Sequence, residues 1–165
     1  MSALEDAAKV AVKECMAIKP GEVVLVITDE PLRNIGYALW ESAKGLGAEA
    51  MITEITPRRS HGEEPPGPLR ELMKLVDVIL IPTSTSLSHT DSRREASGKG
   101  VRIATLPGIT EDTMIRTLNA DYYQIAERSK AIAEILKNGS RVRIQTDRGM
   151  DVTLVIDERD GHADT

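Results

Sequence analysis

Thr83-Ser84-Thr85-Ser86-Leu87-Ser88-His89-Thr90-Asp91 gathers six hydroxyls and an imidazole into one short stretch. Hydroxyls and free amides at a helix start can hold an anion or a polar substrate group. The same side chains also satisfy the orphan amides of a helix that begins there, so capping is the competing reading. On residue chemistry, His89 is the candidate functional side chain, and Thr83, Ser84, Ser86, Ser88 and Thr90 are candidate substrate-binding residues. Arg93 and Arg94 read as solvated helix residues. The chain has three histidines. His89 lies near Asp91, His162 near Asp164, and His61 near Glu63 and Glu64. None of these groupings has a third ligand at a diagnostic spacing, so no metal ligands are assigned within the chain. No glycine-rich dinucleotide or P-loop signature comes after the first strand. There is no serine nucleophile elbow, and the third strand ends Ile81-Pro82-Thr83 without the aspartate that a phosphorelay receiver needs.

The elements that must position this stretch are set by hydrophobic period and turn chemistry. Leu4, Ala8, Ala11, Cys15 and Ile18 recur at helical spacing, which predicts an opening helix with Cys15 as a small buried hydrophobe. Val23 to Ile27 is an unbroken apolar run, the mark of a strand covered on both faces. Thr28-Asp29-Glu30-Pro31 reads as the capped start of a second helix, with Leu32, Ile35, Leu39, Trp40, Ala43 and Leu46 inward and Gly45 and Gly47 at its end. Further strands are predicted at 50–55, 76–81 and 101–106, with helices at 69–75, across the nineties and at 111–118. Between them 56–68 is too polar and too rich in proline for the core. A long helix over 121–137, with Leu118, Tyr122, Ile125, Ile132 and Leu136 as its stripe, precedes a hairpin of 141–146 and 150–156 around Asp147-Arg148-Gly149.

Alternating strands and helices argue an α/β fold: a doubly wound, mostly parallel sheet of flavodoxin or Rossmann type, with a C-terminal β-hairpin. The domain division expected is 1–139 for the three-layer domain and 140–165 for the hairpin and the start of a truncated second domain. An isolated hairpin is marginal in water. A self-sufficient module should therefore bury Val152, Leu154 and Ile156 against its own helices, whereas half of an enzyme should leave them exposed or bury them between two chains.

The 165 residues include 41% hydrophobic and 28% charged ones, ordinary for a globular domain, but only 2% aromatic ones and no Phe. The core must be aliphatic, and base stacking on aromatic platforms is excluded as a mode of nucleic-acid binding. The net charge of −5 and the scattered basic residues give no phosphate-backbone footprint. A single cysteine excludes a disulfide framework and a cysteine zinc cluster. No apolar run approaches a membrane span, and a cytoplasmic location is expected. Asn and Gln together number five, which points to a heat-adapted source.

Ser88-His89-Thr90-Asp91-Ser92-Arg93-Arg94-Glu95-Ala96, together with Gly100-Val101-Arg102-Ile103-Ala104-Thr105-Leu106-Pro107-Gly108-Ile109-Thr110-Glu111-Asp112, resembles a known family. It is similar to the amino-terminal domain of the aminopeptidase T-like thermophilic metallopeptidases and their relatives, the 2,5-dihydroxypyridine dioxygenases. The Lys19-Pro20-Gly21-Glu22 turn and the strand from Gly139 to Ile144 agree with it. The resemblance implies a metal-dependent enzyme whose ligands, for zinc, cobalt or iron, come from a carboxyl-terminal domain that has no counterpart here. It implies for His89 the role of an acid/base group facing the active site, which an imidazole suits because it titrates near neutrality. The expected function is one wall of the cleft of an aminopeptidase-like hydrolase, with this piece inactive alone. The alternatives are the same domain of a non-haem iron ring-cleaving dioxygenase and a free-standing small-anion-binding module. Expected partners are a small-molecule or peptide substrate, with room for a homodimer and with no nucleic acid or membrane.

Overall fold

Strand β1 (Val23–Asp29) sets the pattern of the whole sheet, for every residue in it after Val23 is buried. In the computed structural model, which describes residues 2–118 and 120–163, it lies between β2 (Glu49–Ile55) and β3 (Val78–Ile81), and β4 (Arg102–Thr105) lies beyond β3. All three pairings are parallel, with Val24 opposite Ala50 and Leu25 opposite Ile79. The order β2-β1-β3-β4 is the doubly wound arrangement, and the expected α/β class stands.

Strand alternation sorts the core into two layers. Val24, Val26, Val78 and Leu80 meet one set of helices: α1 (Ala3–Val10), α2 (Arg33–Gly45) and α5 (Glu111–Leu118). Ala8, Leu39, Ala43 and Met114 of those helices are wholly buried there. Leu25, Ile27, Ile79 and Ile81 face the other way, onto Leu69 of α3 (Gly67–Leu72), Met73 just after it, and Ala96 of α4 (Asp91–Gly98). Aliphatic side chains fill both layers, as the scarcity of aromatics requires. Gly36 lets α2 approach β1 closely, because a Cβ there would sit 2.7 Å from Cβ of Thr28.

Two local expectations are corrected. The opening helix passes into a π turn over Ala11–Cys15, closed by Met16 N–H to Ala11 C=O at 3.0 Å. The extra residue in that turn rotates the succeeding positions about the helix axis, so Cys15 is exposed while Ile18 is buried. Thr28 and Asp29 do not cap α2; both belong to β1 and are buried, and the short 3₁₀ turn Glu30–Leu32 after them has no side-chain cap.

Contacts divide the chain between Met1–Asn119 and Ala120–Thr165. The dividing point thus precedes 139, and α6 (Tyr122–Lys137) falls in the same unit as the hairpin of β5 (Arg141–Gln145) and β6 (Asp151–Val155). Asp121 caps α6 by accepting from Gln124 N at 3.0 Å. Ala133 is its buried residue, whereas Ile125 and Ile132 of the expected stripe are 45% and 58% exposed. β5 and β6 pair antiparallel, with Val142 opposite Leu154, around a turn closed by Gly149 N–H to Thr146 C=O at 3.0 Å. No helix among the described residues is long and apolar enough to cross a membrane.

Candidate functional site

In an open parallel sheet, the crevice for a ligand opens at the carboxyl ends of the strands where the strand order reverses. Here the reversal falls between β1 and β3: the chain leaves β1 for β2 on one side and returns to β3 on the other. The residues at that point are Asp29, at the end of β1, and the loop 82–90 between β3 and α4.

The loop is pinned to its surroundings at nearly every second residue. Thr83 C=O accepts from Gly108 N at 2.9 Å. Ser84 donates to Oδ2 of Asp29 twice, from its amide at 2.8 Å and from its hydroxyl at 2.6 Å. Ser86 N–H donates to Nδ1 of His61 at 2.9 Å, and Ser86 C=O accepts from Gly62 N at 2.8 Å. The first of these bonds makes Nδ1 the acceptor of a neutral ring and places its proton on Nε2. Ser86 Oγ donates to Ser88 Oγ at 2.9 Å, and Ser88 Oγ donates to Thr105 Oγ1, at the end of β4, at 2.8 Å.

All five candidate substrate-binding hydroxyls are used as donors within or beside the loop. Thr83 and Thr90 are 2% and 1% exposed. Thr83 Oγ1 donates to Thr85 C=O at 2.7 Å, while Thr90 Oγ1 donates to Leu87 C=O at 2.8 Å and accepts from Arg93 N at 3.2 Å as the cap of α4. The competing reading, capping, accounts for Thr90. His89 is different: it is exposed, only its carbonyl is engaged, by Arg94 Nη2 at 2.9 Å, and its ring has no hydrogen bond among the described residues.

The helix start is not open to an external anion in the way the sequence suggested. Glu64 of the preceding 56–66 segment accepts from the amides of Asp91 and Ser92 and from the Ser92 hydroxyl. Burial opposes its charge, but the Ser92 hydroxyl and the two amides outweigh that and hold its carboxyl below the usual carboxylate range. An internal carboxylate already sits where an anion would. Arg93, expected in solvent, is half-buried and donates to Ser88 C=O at 2.9 Å.

Asp29, which the sequence places at the start of the second helix, ends β1. It is 1% exposed, and its Oδ1 is buried with no hydrogen-bond partner among the described residues, as is Thr85 Oγ1. The described residues include no group of three or more His, Cys, Asp or Glu placed to hold a metal ion. Asp91 pairs with Arg94 at 3.2 Å, Glu63 accepts from Arg59 N at 2.6 Å, and Asp164 lies outside the described residues.

No known family profile matches the chain, and no curated protein matches it in sequence. Solved structures that share its fold include the following two. The first is 2,5-dihydroxypyridine dioxygenase from Pseudomonas putida KT2440, with a TM-score of 0.67 and 16% identity over 94% of this chain and 48% of that one. The second is AmpT from Thermus thermophilus, with a TM-score of 0.52 and 13% identity over 93% of this chain and 53% of that one. The chain therefore spans about half the length of the solved structures it matches. At these identities the likeness is one of fold.

Proposed function

We propose that this chain forms the amino-terminal wall of the active-site cleft in a metal-dependent enzyme of the aminopeptidase kind. The observation that carries the reading is the placement of His89: an exposed imidazole on a loop pinned by Asp29, His61 and Thr105, at the reversal of strand order. An imidazole that is free at the ring and fixed at the backbone is placed to give and take a proton from a bound substrate. His89 is the catalytic acid/base in this reading. Ser84, Ser86, Ser88 and the buried Thr83 and Thr90 shape the loop, and do so more than they bind substrate. In this reading the zinc, cobalt or iron and its ligands belong to a carboxyl-terminal half; the described residues bring no three metal-ligating side chains together. Of the hairpin face, Val152 and Leu154 are 40% and 47% exposed, whereas Ile156 is half-buried. The anion-binding alternative loses its donors to Glu64.

Ring-cleaving oxygenation is the second reading, favoured by the higher TM-score of the dioxygenase. The test joins this chain to a carboxyl-terminal half and assays leucine 4-nitroanilide with zinc or cobalt and 2,5-dihydroxypyridine with iron(II). His89→Ala should lower turnover of the accepted substrate by about 10²- to 10⁴-fold while leaving the melting curve in place. Unchanged turnover in that variant ends the catalytic assignment. The 165-residue chain alone, incubated with each metal and desalted, should retain less than one ion per chain.

A further inference from the structure

We infer that Asp29 is the positioning residue of the His89 loop, a role that rests on the reading of His89 given above. Asp29 closes β1, and Ser84 lies near the start of the loop after β3, 55 residues later. One oxygen, Oδ2, takes both donors of Ser84, at 2.8 and 2.6 Å. That two-point attachment to a single residue fixes the direction in which the chain leaves Pro82, because amide and hydroxyl are held together. His61 and Thr105 then hold Ser86 and Ser88. The pins fall on 84, 86 and 88, and His89 is the next residue.

The carboxylate is costly where it stands. Asp29 takes part in none of the ion pairs among the described residues. A buried charge without a cation is unfavourable unless hydrogen bonds satisfy it, and Oδ1 has none. Stability alone therefore gives no reason for an acid at this position. An asparagine of the same shape keeps one oxygen for both Ser84 donors and puts an uncharged amide in place of Oδ1. What the site requires of residue 29 is an acceptor at the place Oδ2 occupies.

The test compares Asp29→Asn, Asp29→Ala and Ser84→Ala by NMR in this chain and by turnover in the metal-bearing enzyme. In Asp29→Ala, exchange of the Ser84 amide should quicken by about 10-fold or more, roughly the worth of one lost hydrogen bond, and the His89 ring resonances should shift. Asp29→Asn should restore both to wild-type values. Turnover of leucine 4-nitroanilide or 2,5-dihydroxypyridine should fall by about 10-fold or more in Asp29→Ala through kcat, with KM little changed. In a His89→Ala background the same substitution should have no further effect. Asn behaving like Ala, or full additivity with His89→Ala, overturns the inference. If His89→Ala itself is harmless, the functional reading fails, and the NMR comparison still decides the role of Asp29. Should Asp29→Ala not fold, Ser84→Ala carries the test: it removes the hydroxyl donor alone and must shift the His89 ring at an unchanged melting temperature, and an unmoved ring would sink the idea.

Discussion

Removing Glu64 should unfasten the start of α4 and the segment that crosses it. Its carboxylate takes three donors, the amides of Asp91 and Ser92 and the Ser92 hydroxyl. Asp91 is exposed, so water can replace the carboxylate there, but Ser92 is wholly buried. In Glu64→Ala its amide and hydroxyl lose their acceptor away from solvent, which costs about 1–3 kcal/mol for such a group. Loss of a charged partner at a helix start adds about 0.3–1 kcal/mol. Together these come to about 3 kcal/mol, which at roughly 3 °C per kcal/mol for a chain of this size lowers the melting temperature by about 9 °C. Glu64→Gln keeps one accepting oxygen for the buried Ser92 donors and loses the charge and the acceptor of the exposed Asp91 amide, which water can replace, so its cost should be about 1 kcal/mol and about 3 °C. Circular dichroism melts of the three proteins at pH 7 measure this, with amide exchange at Ser92 as the local report. The pH dependence has a defined sign. Because the folded carboxyl lies below its ordinary value, the advantage of Glu64 over Gln is present above the unfolded value of about 4.3 and is lost as pH falls through the lowered folded value. A Glu64→Ala protein melting within about 1 °C of wild type, or a Gln variant as weak as Ala, refutes the reasoning.

Gly36→Ala should cost about 2 kcal/mol, since the new methyl would meet Thr28 at the buried end of β1; an unchanged chemical-denaturation midpoint would show that α2 can shift to admit it. Glu22 is held to a pKa of about 2, first by its hydrogen bonds to Arg102 at 3.0 and 2.8 Å and then by the Lys19 amide. Its contribution should be whole above about pH 4.5 and should disappear as pH falls toward 2. In acid titrations Glu22→Gln should therefore converge with wild type only at the acid end, and parallel curves throughout would count against the Arg102 pairing.

The parallel sheet was legible because its strands are apolar on both faces: Val23 to Ile27 and Val78 to Ile81 can belong to nothing else, and the helices between them carry clear stripes. Helix α5 was bounded by its acidic first turn and apolar period. Cys15 was misplaced because a π turn leaves no mark in hydrophobic spacing. Asp29 was misplaced because Asp followed by an acid and a proline is a common helix start, and nothing local reveals that its partner is Ser84. The candidate loop was found from its composition, but composition counts hydroxyls without saying where their hydrogens go. Three of its ties, to Asp29, His61 and Thr105, reach across 55, 25 and 17 residues. Glu64 belonged to a segment that read as irregular, and its place over α4 depends on the whole path of 56–66.

The pairing of β1 with β3 also sets a timetable for the chain during synthesis. Asp29 and Ser84 stand 55 residues apart, an interval that takes on the order of 3–11 s at roughly 5–20 residues per second. Closing a loop of that length carries an entropic cost of about 3.5 kcal/mol. Until β3 emerges, a nascent β1-α2-β2 unit can cover Val24 and Val26 with α2, but Leu25 and Ile27 have neither β3 beside them nor α3 and α4 above them. A ribosome paused before Ile81 would therefore present one bare aliphatic face to whatever chaperone is near, and the loop bearing His89 would be among the last parts of the first unit to take shape.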